Sequence, residues 1–376
     1  MRQSGIEGTV LTPAGSAARA FTDVGMEVVS VRGLSQFDNT RYGHYRRLRW
    51  IILLRELLFL PGSLLAIWRM RKKRFDVLHV NEVTLLPLAI VAKKLLKLPL
   101  VVHVRSLQCP PLGGLRTRIV NRWLARHADA VVPIDRSVAG TLDHSQAVDI
   151  VHNGLRFDAD YFPDKKSPEM IGQAVRVGFM GVLIALKGIY ELVEAMRILK
   201  DRGVAIECIV AGENARDVQG IRAWALRKLG FAQNVRGDLE QLIRDYGLQK
   251  HVRLLGFVKD VRNIYPKLDI LCFPSHLNAA GRPVFEAAFY SIPSVVAVKE
   301  PFPDAVLHEQ TGLAIPKPDP ELIADALQRL ALDESLRLTL GRQARKWAVD
   351  NFSIKNSADA MLGIYRRLLL ERSGRN

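Results

Sequence analysis

The feature that most constrains this sequence is its alternation of short apolar runs, rich in β-branched residues, with longer helical runs. The short runs are apolar throughout, whereas a strand with one face in water would alternate apolar and polar residues. Continuous apolar strands are typical of a parallel sheet covered by helices on both faces. The sequence therefore predicts an α/β fold. In the first half, strands are expected at 8–13, 26–31, 75–81, 98–106 and 129–135, with a helix at 85–97.

The alternation pauses at a polar, turn-rich stretch that begins near residue 150, and then it resumes. A chain of 376 residues is long for a single core, so the pause favours two domains. We place an N-terminal domain at 1–150, a linker at 151–173, a second domain at 174–352 and a terminal segment at 353–376. Strands of the second domain are expected at 175–181, 206–212, 251–258, 269–275, 292–298 and 312–316, and helices at 189–203, 319–332 and 334–350.

Composition fits an ordered protein of a reducing compartment. Hydrophobic residues make up 48% and charged residues 24% of the chain, which is typical of globular domains. The spacing of Cys109, Cys208 and Cys272 fits neither a metal site nor a disulfide framework, so we expect buried thiols. Residues 1–10 lack the apolar segment of a signal peptide. We therefore expect a cytoplasmic protein.

Positive charge is concentrated near the N-terminus. The formal net charge is +16, and residues 41–74 hold ten basic residues against one acid, Glu56. These residues flank the apolar stretch 51–68, which is a poor bilayer span because Arg55, Glu56 and Pro61 interrupt it. We expect residues 41–74 to lie on an anionic membrane surface, at the inner face of the membrane. The alternative is a pair of core helices with solvated arginines. Nucleic acid is not an expected partner, because no recognition motif or interleaved aromatic platform is present.

Candidate binding residues follow three strands of the second domain. Lys187-Gly188 stands where a loop enters a helix, Glu213 ends another strand, and Glu286 follows a third, four residues after Arg282. Ligands of open α/β sheets bind at the carboxyl ends of the strands. A lysine beside a helix N-terminus suits an anion, and a carboxylate suits a diol. The pattern therefore favours a nucleoside diphosphate, with Arg282 as a further phosphate donor.

A family resemblance supports this interpretation. Residues 175–370 resemble the nucleotide-sugar-binding domain of glycosyltransferase family 4, a retaining family with the GT-B fold. The motifs that carry the resemblance are FMGVLIALKGIYELVEA, CIVAGEN, VRLLGFVKDVRNIYPKLDILCFPS, GRPVFEAAFYSIPSVVA and LHEQTGLAIP. The first domain matches more weakly, through DVLHVNEV, PLVVHVRS and ADAVVPID. The resemblance implies two doubly wound, Rossmann-like domains facing a central cleft, with the last helix returning to the first domain.

The resemblance also assigns roles to individual residues. Lys187 matches the lysine that holds the donor diphosphate, and Glu286 the acid that binds the ribose hydroxyls. The loop Phe257-Val258-Lys259 matches the one that receives the nucleobase, and His103 matches the histidine that faces the transferred sugar. On the same basis Gly181, Glu213, Pro283 and Val284 join the donor side, and Asn81 and Arg105 the acceptor side.

The sequence departs from the family pattern at three places. Asn278 stands where the first acid of the Glu-x7-Glu motif belongs, so a negative charge beside the sugar is missing. Val182 stands where the family often has arginine, and we hypothesise that Arg282 supplies the lost cation. At the front, GTVLTP resembles the family's second strand, which favours the absence of the first strand-helix unit. Alternatively GTVLTP is the first strand, followed by a reduced loop.

Together these features predict an enzyme. The expected reaction transfers a sugar, with retention, from a nucleoside diphosphate sugar to a glycan or polyprenyl-linked acceptor in cell-surface polysaccharide synthesis. No cofactor or metal is expected, because the nearest Asp-x-Asp, Asp158 with Asp160, lies in the linker. The alternatives are a non-catalytic module that binds nucleotide sugars or glycans, and a nucleotide-sugar epimerase.

Overall fold

The computed structural model describes residues 5–36, 50–108, 114–143, 147–155, 174–214, 234–277 and 279–374. These residues divide into two compact units. Unit 1 comprises residues 1–153 together with 355–376, and unit 2 comprises residues 154–354. Most of the predicted linker, residues 156–173, lies outside the described residues, as do Cys109, Asp158 and Asp160.

Unit 2 contains a six-stranded parallel sheet. Its strands are β6 (Val175–Met180), β7 (Ile206–Ala211), β8 (Val252–Gly256), β9 (Ile270–Phe273), β10 (Ser294–Ala297) and β11 (Gly312–Ile315). They lie in the order β11-β10-β9-β6-β7-β8, and every pairing is parallel. The chain direction across the sheet reverses between β6 and β9, so the crevice at the carboxyl ends of these two strands is the expected ligand site.

Helices cover both faces of this sheet. They are α6 (Ile189–Asp201), α7 (Val235–Asp245), α8 (Arg282–Phe289), α9 (Pro320–Leu332) and α10 (Glu334–Phe352). One apolar cluster joins α6, α7 and α9 to one face, and a second joins α8 and α10 to the other. Cys208 and Cys272 are buried in the first cluster, and burial raises the pKa of both thiols. The predicted strands of this half are present, with ends within two residues of the expected positions.

The strands of unit 1 form two separate sheets. The first pairs β1 (Thr9–Pro13) with β2 (Glu27–Val31), and the second joins β3 (Leu78–Val80), β4 (Leu100–Val104) and β5 (Ala130–Pro133). All pairings are parallel. The alternation predicted one sheet here, and in the described residues β1 and β2 do not bond to the other three strands. The helices of this unit are α1 (Ser16–Asp23), α2 (Trp50–Met70), α3 (Leu86–Leu96), α4 (Leu115–His127) and the short α5 (Arg136–Ala139). The identity of β1 as the family's second strand stays a prediction.

The last helix, α11 (Ile354–Ser373), packs on the second sheet of unit 1. Met361, Ile364 and Leu368 join a cluster with Val101 and Val132. The hydroxyl of Ser357 donates to the carbonyl of His152 (2.8 Å), and Arg367 pairs with Asp149.

The apolar stretch near residue 60 is one continuous helix, not a helix pair, and Pro61 lies inside α2 without ending it. One face of α2 is buried: Glu56 and Ile67 are buried, and Ser63 donates to the carbonyl of Gly33 (3.3 Å). Among the described helices, none is long and apolar enough to traverse a bilayer.

Candidate donor site

The loop after β6 places Lys187 against the sheet edge. Residues Ala185–Lys187 form a 3-10 turn, and Gly188 then starts α6 with a φ of 72°, a left-handed conformation that favours glycine. A Cβ at Gly181 would lie 2.6 Å from Lys187 Nζ, so the ammonium group lies directly above this glycine. The two residues that the sequence assigned to the donor side are thus brought together.

Backbone bonds fix this loop between two neighbouring strand ends. The N–H of Leu183 donates to the carbonyl of Glu213, which follows β7 (2.9 Å). The N–H of His276, which follows β9, donates to the carbonyl of Leu186 (3.0 Å). Lys187 therefore lies at the carboxyl edge of the sheet, beside the switch between β6 and β9.

Two helices begin at this edge without a side-chain cap. Gly188 is the N-cap of α6 and Gly281 that of α8, and in the described residues neither glycine supplies a side-chain hydrogen bond to the first turn. Uncapped N-termini leave N–H donors and the positive end of the helix dipole available to an anion. Beside Lys187, this arrangement suits a diphosphate.

The carboxylate of Glu286 holds two partners. Its Oε2 accepts from the hydroxyl of Tyr265 (2.7 Å), and its Oε1 accepts from Nε of Arg282 (2.7 Å). The sequence placed Glu286 at a helix N-terminus, but α8 begins at Arg282, so Glu286 lies in the second turn. Arg282 is thus not an isolated cation, because spacing of four residues on a helix brings it onto the carboxylate.

Glu213 also has a partner that sequence reasoning missed. Its carboxylate accepts from Arg236 (2.6 Å), the second residue of α7, which also pairs with Glu240 (3.0 Å). Arg236 is far from Glu213 in the sequence, and no motif singled it out. The pair forms because the N-terminus of α7 lies over Gly256, where a Cβ would approach the Arg236 guanidinium to 2.8 Å.

The loop predicted to receive the base follows β8. Phe257 is 79% exposed, and Lys259 is exposed beside it, whereas Val258 packs against the second apolar cluster. Pro283 lies in the first turn of α8, and Val284 is buried against the same cluster. Val284 therefore supports the helix from inside. Asn278 lies outside the described residues.

Unit 1 holds His103 in a buried aromatic group. The His103 ring is 5% exposed and stacks on His79, with centroids 5.6 Å apart, and His79 Nδ1 lies 2.5 Å from the hydroxyl of Tyr365. Burial lowers the pKa of His79 to about 4 and of His103 to about 3, so both rings are neutral at neutral pH. His103 is therefore a hydrogen-bonding group, not a cation. Its role toward a sugar stays a prediction.

The two acceptor-side candidates follow the same strands. Asn81 is exposed after β3, and Arg105 is exposed after β4. Nearby, Glu82 accepts from Ser106 (3.1 Å) and from the N–H of Val83 (2.7 Å), while burial raises the pKa of Glu82. Among the described residues, no three metal-binding side chains cluster.

Comparison with known proteins assigns the family. The model of glycosyl transferases group 1 matches residues 163–347, and that of the glycosyl transferase 4-like domain matches residues 1–154. A D-inositol 3-phosphate glycosyltransferase of Corynebacterium jeikeium is 26% identical over 369 residues, which is 91% of this chain and 84% of that protein. The capsular polysaccharide biosynthesis glycosyltransferase CapM of Staphylococcus aureus is 25% identical over 231 residues, 59% of this chain. That match spans only 55% of CapM.

Solved structures share the fold. A glycosyltransferase from Rickettsia africae superposes with a TM-score of 0.73 at 16% identity, covering 98% of this chain and 92% of that one. HepE from Anabaena, solved with UDP and glucose, gives 0.69 at 17% identity, covering 96% and 91%. The fold is therefore GT-B, and the chain belongs to glycosyltransferase family 4.

Proposed function

We propose that this glycosyltransferase moves a sugar, with retention, from a nucleoside diphosphate sugar to a glycan or lipid-linked acceptor of cell-surface polysaccharide. The observation that carries the proposal is that Lys187 and the N-termini of α6 and α8 lie at the carboxyl edge of the sheet, with Glu286 in the second turn of α8. The kinship with CapM, and the UDP in the HepE structure, support this donor and this class of product.

The proposed mechanism stabilises the leaving diphosphate. As the glycosidic bond breaks, negative charge grows on the diphosphate, and Lys187, Arg282 and the N–H groups of the two helix starts would bind that charge. Glu286 would hold the ribose hydroxyls, and Phe257 would lie near the base. An amide at position 278 would still hydrogen-bond to sugar hydroxyls but would supply no negative charge.

The experiment that tests the proposal starts with donor identification. A panel of nucleoside diphosphate sugars is screened by thermal shift, since a ligand that binds only the folded state raises the melting temperature. The donor found is then incubated with and without polyprenyl-linked or oligosaccharide acceptors and followed by NMR. We expect a new glycoside with the donor's anomeric configuration.

The same data separate the alternatives. A stabilising nucleotide that is never turned over identifies a binding module. A change of sugar configuration in the donor, without acceptor, identifies an epimerase. An inverted product contradicts retention while leaving sugar transfer intact.

We predict that transfer needs no metal ion. Lys187 and the N–H groups of the two helix starts would neutralise the charge of the donor diphosphate, a role that a divalent cation fills in metal-assisted transfer. Activity measured after dialysis against EDTA should therefore equal the untreated rate. Loss of activity that Mg²⁺ or Mn²⁺ restores would contradict this.

We also propose that α2 docks unit 1 on an anionic membrane surface. Leu54, Leu58 and Leu65 lie on the face of α2 opposite its buried side, and Leu58 is 78% exposed. Trp68 ends the same stripe, and the guanidinium of Arg71 lies 4.2 Å from its ring centroid. A helix that is apolar on its outer face as well as its inner one needs a covering partner.

The charge on the flanks of α2 favours lipid as that partner. Basic residues dominate both flanks of α2, and interfacial helices combine such a flank with leucine and tryptophan on the apolar face. Docking of this kind would bring the acceptor side of unit 1 to a lipid-linked saccharide at the inner face of the membrane.

We expect the protein to co-float at low salt with vesicles of phosphatidylcholine and phosphatidylglycerol. Leu58→Glu should weaken binding about tenfold or more, because burying one leucine contributes about 1.5–3 kcal/mol and the new acid faces anionic lipid. The matched control is Leu332→Glu, which makes the same change at an exposed leucine of unit 2 and should bind as the parent does. A parent protein that stays unbound, or equal loss in both variants, would refute docking through α2.

A further inference from the structure

The carboxylate of Glu286 is shared by two partners of very different exposure. Tyr265, which donates to Oε2, is 1% exposed, whereas the side chain of Arg282, which donates to Oε1, is 71% exposed. One oxygen is therefore held from inside the protein, and the other is covered from the solvent side.

The inner partner is fixed. The ring of Tyr265 stacks on Tyr290 with centroids 5.2 Å apart and belongs to the second apolar cluster. Burial, reinforced by the Glu286 carboxylate, raises the pKa of Tyr265 well above its usual value, so its hydroxyl remains a donor across the working pH range. Because Tyr265 is buried, we expect its hydrogen bond to Glu286 to persist when a ligand binds.

The outer partner is exchangeable. An exposed ion pair between residues four apart on a helix shifts an equilibrium only by about twofold. Arg282 is also the first residue of α8, at the uncapped helix start where the diphosphate is proposed to bind. A short rotation of its side chain would carry the guanidinium from carboxylate to phosphate, for which its geometry is well suited.

We propose that Arg282 acts as a latch on Glu286, an inference that rests on the proposed function. Without ligand, the guanidinium of Arg282 covers Oε1 of Glu286. When a nucleoside diphosphate binds, the guanidinium leaves Oε1 and binds a phosphate instead. The ribose diol then takes Oε1, while Tyr265 keeps Oε2 and positions the carboxylate. A nucleoside must also displace Arg282 from Oε1, but it has no phosphate to which the guanidinium can bind. Arg282 therefore lowers the affinity of the site for nucleosides relative to nucleoside diphosphates.

The test measures two ligands on each variant. Nucleoside diphosphates (UDP and GDP) are titrated calorimetrically, and uridine and guanosine by ligand-observed NMR, which measures weak binding. In Arg282→Ala, affinity for the diphosphate should fall about tenfold or more, as expected on losing charge-assisted bonds to phosphate. Affinity for the nucleoside should rise by about twofold, because Arg282 no longer competes for Oε1.

Two further variants serve as controls for the effect of Arg282→Ala. Tyr265→Phe should weaken the nucleoside and the diphosphate by the same factor, because Oε2 is used identically in both complexes. Arg329→Ala, which breaks an exposed Arg–Glu pair with Glu309 (2.6 Å) near the opposite edge of the sheet, should change neither.

The outcomes separate the latch from the proposed function. Nucleoside affinity that fails to rise in Arg282→Ala, or diphosphate affinity that does not fall, overturns the latch while the nucleotide site stands. Failure of the parent protein to bind either diphosphate contradicts both.

Discussion

Replacing Lys187 by alanine is expected to lower kcat/KM by a factor on the order of a hundred to a thousand, the range found when a preorganised electrostatic donor is removed. The ammonium group lies over Gly181 at the sheet edge, where the diphosphate is proposed to bind. Because the diphosphate gains charge as it leaves, the loss should fall on kcat as well as on KM.

Steady-state kinetics on the donor identified by thermal shift measures this effect. Lys317→Ala is the control, since Lys317 is an exposed lysine of the same unit that follows the edge strand β11 and pairs with Asp319 (2.9 Å). Both variants should melt close to the parent, because neither lysine is part of the apolar core. Equal kcat/KM for parent and Lys187→Ala would remove the basis of the donor site.

The second large effect concerns folding of the donor loop. Gly188→Ala should lower the free energy of unfolding of unit 2 by about 3 kcal/mol or more, because two penalties combine. A left-handed φ costs a residue with a Cβ about 1–2 kcal/mol, and the new Cβ would overlap the carbonyl oxygen of Pro274. The loop would have to move away from β9, taking Lys187 with it.

Gly203→Ala isolates the steric part. Gly203 has the same φ of 72°, but a Cβ there meets nothing within 4 Å. This variant should therefore lose only the backbone penalty of about 1–2 kcal/mol. Urea unfolding of the two variants gives the difference directly, and equal destabilisation would show that Pro274 yields without cost.

Much of unit 2 could be predicted from the sequence because its strands are buried on both faces and read as unbroken apolar runs. The loop of Lys187 could be predicted for a related reason, since a lysine and a glycine in the loop that follows such a strand fall at a helix start. In both cases the local sequence pattern is enough to place the residues in the fold.

The partners within the site could not be predicted in the same way. Tyr265 reaches Glu286 across 21 residues and Arg236 reaches Glu213 across 23. Such contacts depend on how loops pack at the sheet edge, which leaves no periodic signal. The contact between Arg282 and Glu286 is different, because residues four apart on a helix lie on the same face. It could be predicted once α8 is known to begin at Arg282.

The first half was harder to predict for physical reasons. Helix α2 is apolar on both faces, so its pattern does not distinguish a core helix from an interfacial one, and a single proline does not end a helix that packs along its length. The apolar runs of the first half predicted one sheet, yet its described strands form two sheets. Apolar runs show that strands are buried, but they do not show which strands pair.

The assembly of unit 1 from both termini has a consequence for biosynthesis. While the polypeptide is still emerging from the ribosome, the β4 and β5 surface that receives Met361, Ile364 and Leu368 stays bare until α11, which follows unit 2 in the chain, has been translated. Unit 2 is synthesised without interruption and can mature as a continuous segment. We therefore expect unit 2 to fold before unit 1 is complete, with the earlier part of unit 1 depending on chaperones until α11 is available.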